Sequence, residues 1–125
     1  MSEFKNSIEI ANSGMQAQSE RLRRISENIA NADTPGYHRK TIPLFSIDKG
    51  RVASGPTQLD QSQLKDIYDP SHPLADAGGY YKGSNVEILF EIADAREAQR
   101  SYEANLKVFE QARKMSSELF DLIKK

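Results

Sequence analysis

Ser84-Asn85-Val86-Glu87-Ile88-Leu89-Phe90-Glu91-Ile92-Ala93-Asp94-Ala95-Arg96-Glu97-Ala98-Gln99-Arg100-Ser101-Tyr102-Glu103-Ala104-Asn105-Leu106, continuing to Ile123, is the stretch whose reading decides the fold. Ile88, Ile92, Ala95, Gln99, Tyr102, Leu106, Phe109, Arg113, Ser116, Phe120 and Ile123 fall at alternating steps of four and three, the spacing of a helical heptad seam. A flanking stripe of Val108, Ala112, Met115, Leu119 and Leu122 widens the apolar face toward the end, so this helix has more than one partner to satisfy. Ser84 or Asn85 is placed to cap it, with Glu87 three residues beyond Ser84 as a capping box requires.

An earlier seam has the same period: Phe4, Ile8, Ala11, Met15, Gln18, Leu22, Ile25, Ile29 and Ala32. It ends near Asn31, because Pro35 disfavours helix at Thr34 and Gly36 permits a turn. If the helices run antiparallel with Asn31 level with Val86, residues whose numbers sum to about 117 share a layer. Gln18 then lies beside Gln99, and about twelve residues of the longer helix overhang the shorter one.

Residues 33–83 contain all five prolines, which argues against helix there. Lys40 to Ile47 reads as β-type and Leu64 to Tyr68 as a short strand, whereas Gly50 to Gln63 reads as a mobile loop. The expected fold is mainly α: an antiparallel N- and C-terminal helical coiled coil with a small irregular, β-containing middle segment. Residues 1–32 and 84–125 form one domain in this reading, with residues 33–83 laid against it.

Composition narrows function by exclusion. In 125 residues, 38% are apolar, 28% are charged and the formal net charge is −1, so no overall field selects nucleic acid or acidic lipid. Without cysteine there is neither a disulfide framework nor a thiolate metal site. The start, Met1-Ser2-Glu3-Phe4-Lys5-Asn6, lacks the apolar core of a cleaved signal peptide, and no apolar run reaches the roughly 18 residues of a membrane span.

His38 and His72 are the only histidines, and no phosphate loop, nucleophile elbow or zinc-protease motif occurs. Asp94, Glu97 and Glu103 read as a solvated helix face. Arg21, Arg23, Arg24, His38, Arg39 and Lys40 form a basic patch, but Glu20 and Glu27 interleave with it, which favours a salt-bridged or intersubunit surface over nucleic acid. The expectation is a protein that is not an enzyme and takes no cofactor or metal. A cytoplasmic helical adaptor or export chaperone would show the same seams, and a metal-assisted enzyme would need His38 and His72 to converge.

Ser13-Gly14-Met15-Gln16-Ala17-Gln18-Ser19-Glu20-Arg21-Leu22, followed by Ile25-Ser26-Glu27-Asn28-Ile29-Ala30-Asn31-Ala32-Asp33-Thr34-Pro35-Gly36-Tyr37, resembles the N-terminal signature of the flagellar rod and hook axial proteins. Asp94 to Leu106 is similar to the closing helix of that family, and Tyr68-Asp69-Pro70-Ser71-His72-Pro73-Leu74-Ala75-Asp76-Ala77-Gly78-Gly79-Tyr80 resembles the run that sets its proximal-rod members apart. Ser84 stands where a proline is common, Tyr81 where a valine is frequent, and the segment before Tyr37 is shorter than in many relatives.

The resemblance implies a structural subunit of the proximal rod, or another rod subunit of the same family. Such a subunit polymerises with copies of itself and other rod proteins into a helical tube that transmits torque from motor to hook. It also implies synthesis in the cytoplasm, export by the flagellar type III apparatus without a cleaved signal, and assembly in the periplasm without membrane insertion. On that reading Ile8, Met15, Leu22 and Ile29 form the inner pairing. Tyr102, Leu106, Phe109, Leu119, Phe120 and Ile123 face neighbouring subunits, and the turn carrying Asn28, Asn31 and Tyr37 touches them as well.

Overall fold

A computed structural model describes residues 2–124. Two long helices, α1 (Ser2–Ala30) and α2 (Ile88–Lys124), enclose six short strands: β1 (Lys40–Thr41), β2 (Leu44–Ser46), β3 (Val52–Ser54), β4 (Gln58–Leu59), β5 (Asp66–Tyr68) and β6 (Tyr80–Lys82). At 1.5 Å per residue the helices are about 44 and 56 Å long. The end of α1 follows the expected chemistry. The Asn31 side chain donates to the Glu27 carbonyl at 2.8 Å, and Gly36, at φ 75°, turns its N–H onto the carbonyls of Lys82 and Gly83.

The helices lie side by side and antiparallel: Asn28 meets Glu91, Gly14 faces Asn105, and Phe4 and Ser7 share a groove with Ala112 and Met115. The residue numbers of the first two pairs each add to 119, two more than the heptad argument gives. That slip is about 3 Å along the axis. Helix α2 is also rotated by one position. Its inward line runs through Glu91, Ala98 and Ala112, all buried, while Ile92 and Gln99 are exposed.

Small residues explain the rotation. Ala11, Gly14 and Ala17 on α1 and Ala98 and Ala112 on α2 are all buried along the contact, so the backbones approach closely, as Gly14 does at Asn105, and bulkier side chains are left on the flanks. The expected Gln18–Gln99 pair is therefore not made. Gln18 accepts from Arg21, and Gln99 points outward to Glu103. The overhang is shorter too. In the observed register Ser2 lies level with Ser117, leaving residues 118–124 beyond α1.

Gly14 marks the closest approach: a Cβ there would stand 2.7 Å from the Asn105 amide. Gly14→Leu is expected to cost about 1 to 3 kcal/mol in urea unfolding, the range for overpacking. Adding Asn105→Ala should recover part of that loss, and full independence of the two changes would contradict the contact.

The middle segment is more ordered than the sequence suggests. β2 pairs antiparallel with β3, and β1 with β4, so residues 50–63 hold two strands that return along residues 40–46. The Val52 N–H donates to Ser13 Oγ at 3.1 Å, pinning β3 to α1. β5 and β6 form a hairpin with Tyr68 opposite Tyr80. Ser84 and Asn85 do not cap α2: the Ser84 hydroxyl donates to the Ala32 carbonyl, and the Asn85 amide donates to the Asp60 and Ser62 carbonyls at 2.9 and 3.1 Å. Tying down the loops takes both candidate caps.

Candidate assembly interface

A buried polar latch holds the chain between the helices onto their loop end. Asn28 and Glu91 are both fully buried, and Asn28 Nδ2 donates to Glu91 Oε2 at 3.2 Å and to the Lys40 carbonyl at 2.9 Å. Asn28 Oδ1 accepts from the Lys40 N–H at 2.8 Å and the Tyr37 hydroxyl at 2.9 Å, so every valence of this amide is used. Arg39 Nε donates to the other Glu91 oxygen, and its Nη2 donates to Asp94 at 3.0 Å. The Arg39 N–H donates to Asn85 Oδ1 at 2.6 Å. Residues 37–40 thus form a strap across both helices.

Burial opposes the Arg39 charge, but the hydrogen bond and charge of Glu91 outweigh it and hold the guanidinium above its ordinary pKa. Burial likewise raises the Tyr37 hydroxyl. Glu27 is lowered, chiefly by the hydrogen bond that Lys40 Nζ donates at 2.9 Å, and Asp60 is lowered chiefly by the Ser62 N–H. A folded-state pKa below the unfolded one gives stability that is present at neutral pH and is lost as pH falls through about 4 toward the folded value. The urea midpoint should therefore fall between pH 7 and pH 3, and Lys40→Met should flatten the part due to Glu27. An unchanged midpoint across that range would contradict these pairings.

Met15 is buried in the helix contact, and Ile8 and Leu22 are half-buried there. Ile29 is exposed, because neighbouring Asn28 takes the inward place. Asn28 itself turns into its own chain and cannot touch a neighbour; Tyr37 bonds to it, and Asn31 bonds to its own helix. Tyr102, Leu106, Phe109 and Leu119 are half-buried on α2, whereas Phe120, Leu122 and Ile123 are 57%, 70% and 70% exposed on the overhang. Val108 and Met115 continue that exposed stripe back along α2.

His38 and His72 do not converge on a shared ligand. His38 Nδ1 lies 3.0 Å from the Asp60 carbonyl and His72 stacks on Tyr81. Among the described residues no three His, Cys, Asp or Glu side chains gather into a metal-binding group, and no helix is long and apolar enough to cross a membrane.

The latch escaped the sequence reading. Its one signal was Glu91, an acid inside the apolar run Ile88-Leu89-Phe90-Glu91-Ile92.

Both ends of the chain match models of flagellar axial proteins. Residues 8–38 match the family described as "Flagella basal body rod protein", and residues 77–122 match "Flagellar basal body rod FlgEFG protein C-terminal". The paired terminal helices therefore belong to the rod class of axial subunits.

Over 127 aligned residues the chain is 46% identical to the flagellar basal-body rod protein FlgC of Agrobacterium fabrum, covering 92% of this chain and 91% of the relative. The FlgC proteins of Salmonella typhimurium and Aquifex aeolicus are 35% and 30% identical, over 88% and 97% of this chain and 90% and 98% of theirs. The chain belongs to the FlgC family of flagellar basal-body rod proteins, structural subunits of the rod.

Proposed function

We propose that this chain is a proximal-rod subunit whose two helices form one coiled-coil domain and polymerise into a helical tube that carries torque from motor to hook. The observation that carries this reading is the exposed apolar surface of Val108 and Met115, on the flank of the helix contact, and of Phe120, Leu122 and Ile123 on the overhang of α2. Fully burying such a side chain contributes about 1.5 to 3 kcal/mol, so covering the exposed parts of these five contributes roughly 4 to 9 kcal/mol. Ordering residues 118–124 costs roughly 7 to 14 kcal/mol at about 1 to 2 each, more than these side chains supply, so the overhang depends on the further contacts that a neighbour's surface adds.

In the tube, Tyr102, Leu106, Phe109, Leu119, Phe120 and Ile123 meet neighbouring subunits, while Ile8, Met15 and Leu22 line the inner pairing and Ile29, exposed beside Asn28, is left to an outer contact. A contact between two different surfaces of successive subunits continues without closing, as a tube requires. The chain is made in the cytoplasm, passes through the type III export apparatus without losing a signal peptide, and assembles in the periplasm with copies of itself and other rod proteins. Sedimentation tests the polymerisation. Purified chain mixed with the other rod subunits should pellet as long particles, and a discrete soluble oligomer under all conditions would favour an adaptor instead.

A further inference from the structure

We propose that the outer edge of β2 is a self-pairing surface, through which two free copies of this chain join their β2–β3 ribbons into one four-stranded antiparallel sheet. The pairing goes beyond the rod-subunit reading and does not depend on it.

The hydrogen bonds of the ribbon define which backbone groups are left over. The Ile47 N–H donates to the Arg51 carbonyl and the Gly55 N–H to the Pro43 carbonyl, both at 2.8 Å. Bonded and unbonded positions alternate in an antiparallel pair, so Phe45 and Ala53 exchange bonds while Leu44 and Ser46 turn their N–H and C=O groups outward. The same alternation turns Val52 outward on the opposite edge, where its N–H meets Ser13 of α1 at 3.1 Å. β3 therefore stands between β2 and α1, and the outward groups of Leu44 and Ser46 have no partner among the described residues.

Unpaired strand edges are normally blunted by charge, by proline or by a covering element. This one is not. From Thr41 to Ile47 the chain carries no charged side chain, and the missing N–H of Pro43 lies on the inner side, facing Gly55. Pro43, Phe45 and Ile47 share one face of the ribbon, with Phe45 53% and Ile47 42% exposed. Gly55 lets that face pack: a Cβ there would stand 2.7 Å from the Phe45 ring and 2.9 Å from Pro43.

Such an edge takes up an extended backbone, and the strand fits a copy of itself. In full antiparallel overlap, Leu44 stands opposite Ser46 of the second copy and Ser46 opposite its Leu44, so each outward N–H meets an outward C=O. Phe45 faces the second copy's Phe45 across the two-fold axis at an unbonded position, where side chains come closest. Pro43 faces Ile47 on both sides, so the apolar face of one strand continues onto the other with no charge between them.

A contact of this kind closes on itself. A tube built by repeating one heterologous contact points every subunit the same way, whereas the two-fold axis reverses one chain, so two subunits of one tube cannot share it. The sheet is a contact of free subunits, and its small interface makes it a weak one that forms at high subunit concentration.

The chain has no cysteine, so a single one reports the contact. At high concentration and on mild oxidation, purified Phe45→Cys should form a disulfide-linked dimer about ten-fold faster than Leu59→Cys, which replaces a similarly exposed side chain on β4. Particles pelleted with the other rod subunits should hold no such dimer. The unsubstituted chain should sediment as a monomer–dimer mixture. Ser46→Pro, which removes an outward N–H and spares the bonds to β3, should raise the dissociation constant about ten-fold, and Ser46→Ala should leave it unchanged. Equal rates for the two cysteine variants, a chain monomeric at every concentration, or the disulfide dimer inside pelleted particles would overturn the proposal. A folded Ser46→Pro that dimerises as the parent does would overturn it too, and if that variant unfolds the cysteine rates decide. The rod reading fails separately, if the unsubstituted chain is absent from isolated rods.

Discussion

Glu91→Ala is expected to cost about 3 kcal/mol of unfolding free energy, the lower end of the range for removing one partner of a buried charged pair. The carboxylate is fully buried and accepts from both Asn28 Nδ2 and Arg39 Nε. Without it, Asn28 keeps the Lys40 carbonyl and Arg39 keeps Asp94 and Asp60, and the guanidinium still reaches some water, which places the cost at the low end. Glu91→Gln should lose less, since its amide oxygen still accepts one of the two donors. Urea unfolding of the purified variants measures both, and a Glu91→Ala chain as stable as the parent would remove the latch from the account.

Phe120→Asp is expected to abolish swimming while leaving the isolated chain folded. Phe120 is exposed on the overhang, where a surface substitution changes stability by less than about 0.5 kcal/mol. Against a neighbour the same aspartate would be a charge in a dry contact. Leu106→Asp differs in kind, because Leu106 is half-buried against its own chain and should lose stability and motility together. Circular dichroism and soft-agar swimming separate the two, and normal swimming by Phe120→Asp would take the overhang out of the interface.

The helices were legible because apolar residues spaced by three and four define a face wherever they occur, and the stop at Thr34-Pro35-Gly36 is local chemistry. Which stripe of α2 faces inward was not legible. Ile92 and Leu106 are larger than Ala98 and Ala112, yet the helices approach along the small residues, and apolar bulk in a sequence does not reveal how near a partner backbone comes. Asn28 and Glu91 lie 63 residues apart, so nothing local announces their pairing. Strands of two and three residues are too short to show alternation, which is why β3 and β4 read as loop. The hairpin run from Tyr68 to Tyr80 stood out through family resemblance, not through its periodicity.

Mass spectrometry of purified hook–basal bodies tests the central claim most directly, comparing cells that carry the chain, cells that lack it, and cells that carry Phe120→Asp in its place. A structural rod subunit should be present in the particles from the first cells, and the other two should yield no complete rods. Intact hook–basal bodies from cells that lack the chain, or complete particles from the first cells with the chain absent, would contradict it.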